Sequence, residues 1–165
     1  MSSDNNSATG GANFVLVGSS DATLSACEAV QTTLNTNPTV GFLIDTAAAN
    51  VSLEGCIANS HNNSVAVSPI YGNGFLIGNN ASPTSYVNVN DCKAHNNQNW
   101  GLYFDANCGK CQVVGGTFVT NGTAAKFRTP TAGSRLFSAA GIGTANVAIE
   151  LTQVSNVEAA HFQYL

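Results

Sequence analysis

The sequence predicts an all-β chain folded as a parallel β-helix, a solenoid of about five coils with three short strands per coil. Three observations carry this. Three segments superpose position by position: NVSLEGCIANSHN from Asn50, YVNVNDCKAHNNQ from Tyr86 and KCQVVGGTFVTNG from Lys110. A second run that opens on glycine, its positions alternating inward and outward, precedes each of them. Finally, only 8% of the 165 residues are charged against 44% hydrophobic, so surface hydration must come from Asn, Ser, Thr and Gly, as in a turn-rich β protein.

Within the aligned segments, Val51, Val87 and Cys111 open a strand that Leu53, Val89 and Val113 continue, with every second side chain facing inward. Gly55, Asp91 and Gly115 then mark a tight turn. Cys56, Cys92 and Gly116 begin a second short strand continued by Ala58, Ala94 and Phe118, which ends in an Asn-rich corner. The preceding runs are GFLID from Gly41, GFLIG from Gly74 and GLYFD from Gly101, giving the third strand of each coil. Incomplete copies flank these units: ATLSACEAV from Ala22 with the Phe14–Val17 run before it, then Arg135–Ser138 and NVAIELTQV from Asn146. One coil cannot bury its apolar face alone, so stacking on neighbours is obligatory. The chain therefore reads as one domain, with residues 1–21 as lead-in and first strand and 22–165 as the β-helix. The run Leu24–Leu34 also has helix-like spacing, with Leu24, Cys27, Val30 and Leu34 on one face, and competes with the strand reading as a cap.

The unit φxφxxCxAxxN followed by Gly-φ-x-φ, seen in EGCIANSHN and NDCKAHNNQNWGLYF, resembles the right-handed parallel β-helix repeat of pectate-lyase-like proteins. The resemblance covers the chain from about Ala22 onward. It implies a right-handed solenoid and leaves activity open, since such helices serve as polysaccharide lyases, glycoside hydrolases, tailspikes and adhesins. An extracellular or surface-exposed setting is the expectation. The first twenty residues have no basic n-region, and their apolar run is too short for a signal peptide.

Candidate chemistry is sparse. Asp45 and Asp105 end equivalent strands two coils apart, roughly 9.6 Å at the usual strand spacing, near the upper limit for the acid and base of an inverting glycosidase. Turn propensity alone also explains aspartate at a strand end. Arg128 with Pro130 matches the Arg-x-Pro core that the resemblance associates with a lyase base, but no acidic calcium-binding cluster accompanies it. Cys108–Cys111 has the spacing of a redox or zinc half-site, yet no matching pair exists and Cys111 falls on an inward position, so core packing is expected. Cys56 and Cys92 are expected to be buried, reduced thiols. His61 and His95 are expected as solvated corner residues. No metal or other cofactor is implied.

The connection leaving the Asn-rich corner varies strongly in length while the neighbouring turns stay short, measured from Thr32 to Gly41, His61 to Gly74, Asn97 to Gly101 and Asn121 to Arg135. That edge gathers Tyr71, Asn99, Trp100, Lys126, Phe127, Arg128 and Arg135, where aromatic and amide groups suit sugar rings. Trp100 and Phe127 packing back on the core is the plainer alternative. Five Asn-x-Ser/Thr sequons, at Asn5, Asn50, Asn62, Asn80 and Asn121, would be surface acceptors on a eukaryotic secretory route.

A net charge of −4 gives no concentrated basic face for nucleic acid, and no apolar stretch is long enough to span a membrane. The sequence thus favours a non-catalytic surface or binding module, contacting a glycan or a protein within an adhesin- or fibre-like assembly. A polysaccharide lyase or glycoside hydrolase is the alternative. Homo-oligomers through exposed ends are expected, and Phe162, Tyr164 and Leu165 are expected to fold across the last coil or meet another subunit.

Overall fold

A computed structural model describes residues 2–4, 11–31, 39–61, 72–79, 82, 84–105, 108–109, 111–119, 121, 123–128, 135–140, 149–152 and 158–163. For 2–4, 109, 119 and everything from 123 onward the description is of backbone alone. After β1 (Ser2–Asp4) come four complete coils. The first holds β2 (Gly11–Val17), β3 (Thr23–Ser25) and β4 (Glu28–Val30). The second holds β5 (Thr39–Asp45), β6 (Ala49–Glu54) and β7 (Ile57–Asn59). The third holds β8 (Asn73–Ile77), β9 (Thr84–Asn90) and β10 (Lys93–His95). The fourth holds β11 (Trp100–Phe104), the short β12 (Cys108–Gly109), β13 (Gln112–Val114) and β14 (Thr117–Val119). Two further two-stranded turns follow, β15 (Thr123–Arg128) with β16 (Arg135–Ala140) and β17 (Ile149–Thr152) with β18 (Glu158–Gln163).

Three parallel sheets result. Sheet A runs β1-β4-β7-β10-β14, sheet B β17-β15-β11-β8-β5-β2, and sheet C β18-β16-β13-β9-β6-β3. This is an all-β parallel β-helix with three strands per coil, and no helix occurs among the described residues. The Leu24–Leu34 spacing resolves as β3 and β4 through Val30, with residues 32–38 outside the described set.

Register sets like on like. Phe42 pairs with Phe75 and Phe75 with Leu102; Ile44 pairs with Ile77 and Ile77 with Phe104. Leu53, Val89 and Val113 form one row, and Ala58, Ala94 and Phe118 another, all buried. The rings of Phe14, Phe42 and Phe75 stack at 4.8 Å, nearly parallel. That equals the usual spacing of hydrogen-bonded strands, about 4.8 Å, so one geometry serves both backbone and core.

The corner between sheets C and A is two residues long in every complete coil: Ala26-Cys27, Gly55-Cys56, Asp91-Cys92 and Gly115-Gly116. The first of each pair is left-handed, with φ of 49°, 59°, 48° and 65°. Its amide donates to the next coil, as from Ala26 to Glu54 O (2.8 Å), Gly55 to Asn90 O (2.9 Å) and Asp91 to Val114 O (2.8 Å). Gly and Asp suit that conformation, whereas Ala26 pays roughly 1–2 kcal/mol for it.

The corner between sheets A and B is closed by a buried polar ladder. Asn97 Oδ1 accepts from the His61 amide (3.1 Å) and Asn121 Oδ1 from the Asn97 amide (3.1 Å) and side chain (2.8 Å). Asn97 Nδ2 donates to Ala58 O (3.3 Å) and Asn121 Nδ2 to Ala94 O (2.9 Å). Each amide side chain thus satisfies backbone groups that the turn leaves without strand partners. His61 takes the same rung and is 1% exposed, with Nε2 3.3 Å from Ala29 O and Nδ1 3.3 Å from the Thr39 hydroxyl. This corrects its expected place in solvent. It also corrects the Asn121 sequon, whose side chain is buried and committed to the ladder.

Two further expectations change. Arg135 opens no sheet B strand: it pairs with Gln112 in sheet C, while β15 pairs with β11 and begins two residues after Asn121. The interval from Asn121 to Arg135 is therefore not one connection: it contains β15, and residues 129–134 join sheet B to sheet C. At the far end, Phe162 lies in β18, paired with Ala139 as one more strand of the stack rather than crossing it. Tyr164 and Leu165 lie outside the described residues.

Coil stacking leaves no room at the glycines that open sheet B strands. A Cβ on Gly41 would lie 2.5 Å from Gly74 O and 2.8 Å from His61 Nε2, whereas one on Gly55 meets nothing within 4 Å. Gly41→Ala is expected to cost about 3 kcal/mol and Gly55→Asn less than about 1 kcal/mol, measured as shifts of the urea midpoint at unchanged slope. Equal costs would show that the approach at Gly41 is not tight.

Candidate functional site

The register places the three candidate catalytic residues in one column at the sheet B to sheet C corner. Ile44, Ile77 and Phe104 are in line, so Asp45, Gly78 and Asp105 follow in line. Phe104 pairs with Phe127, which sets Arg128 one strand beyond Asp105. Both carboxylates are withdrawn from solvent, Asp45 at 1% and Asp105 at 7% exposed. Asp45 Oδ1 accepts from the Thr46 amide at 2.8 Å, and the Asp105 carbonyl accepts from the Cys108 amide at 3.1 Å. These contacts are those of turn-closing residues. Buried to this degree, neither carboxylate lies open to a polymer.

The expected ligand edge is brought together only in part. Asn99 and Trp100 sit side by side at the sheet A to sheet B corner, the Asn99 amide donating to Gly72 O (2.9 Å) and the Trp100 amide to Asn73 Oδ1 (3.2 Å). Trp100 packs on Tyr103, ring centroids 4.6 Å apart, beside the buried Val40 and Leu76. The indole thus supports a second apolar cluster on the outside of sheet B and is not an open platform. Lys126 lies one strand from Tyr103 and Arg128 at the opposite end of β15. Arg135 belongs to sheet C, and Tyr71 and Pro130 lie outside the described residues.

The five cysteines divide into one disulfide and three thiols. Cys108 and Cys111, both buried, are joined, a pairing that the core-packing reading of CGKC did not anticipate. With both sulfurs consumed, the pair offers no metal half-site in this state. Cys27, Cys56 and Cys92 are free and stack at the sheet C to sheet A corner, their thiols donating to Ser25 O (3.5 Å), Leu24 O (3.3 Å) and Leu53 O (3.4 Å). Burial pushes the Cys27 thiol up. The contact with Cys56, reinforced by burial, pushes Cys92 well up, and the same contact holds Cys56 down at about 6. Among the described residues no group of three His, Cys, Asp or Glu is disposed to hold a metal ion.

Among the residues whose side chains are described, the most open aromatic lies elsewhere. Tyr86 is 49% exposed on the outward face of sheet C with φ 56°. Its place in the repeat is filled by Asp21 (φ 55°) and Asn50 (φ 54°) in the preceding coils, residue types that tolerate this conformation better. Asn50 donates to Asp21 Oδ1 at 3.0 Å. Beside this column run Ser52, Asn88 and Gln112, then Glu54, Asn90 and Val114, each row in register. Among the described side chains this face is rich in hydroxyl and amide groups and carries the Tyr86 ring. Its sequence signal was available: Tyr86 stands where the aligned segments carry Asn50 and Lys110.

Comparison with known proteins returns no match to a family, to a curated protein or to a solved structure.

The thiol row gives a direct check. The native protein is expected to react slowly with a thiol reagent at neutral pH because access, not ionisation, limits buried sulfur. Unfolding should release three reactive thiols, and reduction before unfolding should raise the count to five. Rapid reaction of two or more thiols in the native protein would contradict the buried row.

Proposed function

We propose that this chain is a non-catalytic β-helix binding module that holds a glycan against the outward face of sheet C, as the contact surface of an adhesin- or fibre-like protein. The observation that supports it most is Tyr86. An aromatic ring, half exposed, stands where the two preceding coils have Asp21 and Asn50 and the next has Lys110, and it is flanked by in-register Ser52, Asn88 and Gln112. A ring gives a sugar an apolar surface to stack on, and the amides and hydroxyls give its hydroxyls partners. A backbone held in a sparsely populated region for a bulky residue is itself a pointer to function.

The lyase or hydrolase reading keeps one supporting observation, the column that sets Arg128 beside Asp105. Against it stands the burial of Asp45 and Asp105.

A glycan array probed with the purified chain is expected to give a signal that Tyr86→Ala weakens about tenfold or more, as loss of an aromatic anchor commonly does, with the melting temperature unchanged. No glycan signal overturns the reading; capture of a protein partner instead would reassign the face. Turnover of polyuronates or neutral polysaccharides, lost in Asp105→Asn or Arg128→Ala, would establish the enzymatic alternative.

A further inference from the structure

The N-terminal end of the stack is one full turn of strand edge. β1, β2 and β3 end sheets A, B and C, and among the described residues no strand lies beyond them. Burial records the consequence. Phe14, Leu16 and Leu24 are only partly buried, whereas Phe42, Ile44 and Leu53, which repeat them in the next coil, are wholly buried. Val15 and Val17 are 52% and 49% exposed. β2 reads GANFVLV, with no charged residue and no proline, so it lacks the devices that usually prevent a free edge from pairing.

We infer that this end is a self-association surface whose occupant is a second copy of the chain, docked head to head across a two-fold axis at Val15. Val15 is flanked on both sides by a partly buried apolar residue, Phe14 and Leu16. Antiparallel pairing centred there sets Val15 opposite its own counterpart and core-facing Phe14 opposite core-facing Leu16, so both apolar cores join. Helical rise completes the fit. Each turn climbs one strand spacing, so β1, β2 and β3 step by a third of about 4.8 Å. Inverting a second copy about an axis through the middle strand therefore brings its β3 beside β1 at the same spacing that separates β2 from β2. β1 and β3 are both three residues long. The contact closes as a dimer, whereas parallel head-to-tail stacking would propagate.

Sedimentation of the full chain over a concentration series tests this, with a dimer as the end state expected. Val15→Lys should sediment as a monomer with unchanged circular dichroism. Val15→Cys should form a covalent dimer in an oxidising glutathione buffer, since directly opposed Cβ atoms lie about 5 Å apart. Val17→Cys should not, its counterpart being about four residues away along the strand, roughly 13 Å. A monomer at every concentration, assemblies that grow beyond the dimer, a dimer that survives Val15→Lys, or equal cross-linking of the two cysteine variants would each overturn the inference.

Discussion

Parallel in-register hydrogen bonding between coils is the constraint on which the rest of this structure depends. Once one coil lies on the next at strand spacing, every side chain meets the residue at its own position one turn away. Phenylalanine stacks on phenylalanine, valine on valine, and a thiol on a thiol. A substitution is then felt by the coils above and below as much as by its own. This explains why a missing Cβ at Gly41 and at Gly74, each facing the carbonyl of the glycine one coil on, matters more than conformational freedom there.

Corners obey the same logic with different chemistry. Between sheets C and A two residues suffice, because a left-handed first residue turns the chain and passes its amide to the next coil. Between sheets A and B the turn leaves more backbone groups without strand partners, and Asn97, Asn121 and His61 supply them from inside. Buried polar groups of this kind are tolerated when every member is satisfied and costly otherwise. They therefore tie coil registration to specific side chains where apolar packing alone would permit slippage.

Much of this was legible in the sequence, since alternation, glycine-led strands and recurring cysteines survive in a single chain. The pairing of Leu53 with Val89 and Val113, and of Ala58 with Ala94 and Phe118, follows directly from the aligned segments. Misreadings arose where a coil departs from the pattern. β15 reads TAAKFR and has no opening glycine, so Arg135 took its place in the alignment and β15 itself was counted as loop. His61 resembles a solvated residue until its register with Asn97 places it on the ladder. The Cys108–Cys111 disulfide has the spacing of several other features, and spacing alone does not choose among them. Aromaticity alone did not show that Trp100 packs in part against its neighbours on sheet B, nor that Tyr86 stands outward in a left-handed conformation.

Function in such a solenoid belongs to the surface that stacking leaves outward, and stacking is therefore what most needs a direct measurement. Methyl–methyl nuclear Overhauser spectra of the leucine- and valine-labelled chain provide it without perturbing the fold. Cross-peaks joining Leu53 to Val89, and Val89 to Val113, are predicted, because those residues are register partners on adjacent strands despite lying a whole coil apart in sequence. Their absence, with cross-peaks instead linking Val51 to Val89 or Leu53 to Val113, would contradict the register on which the account stands.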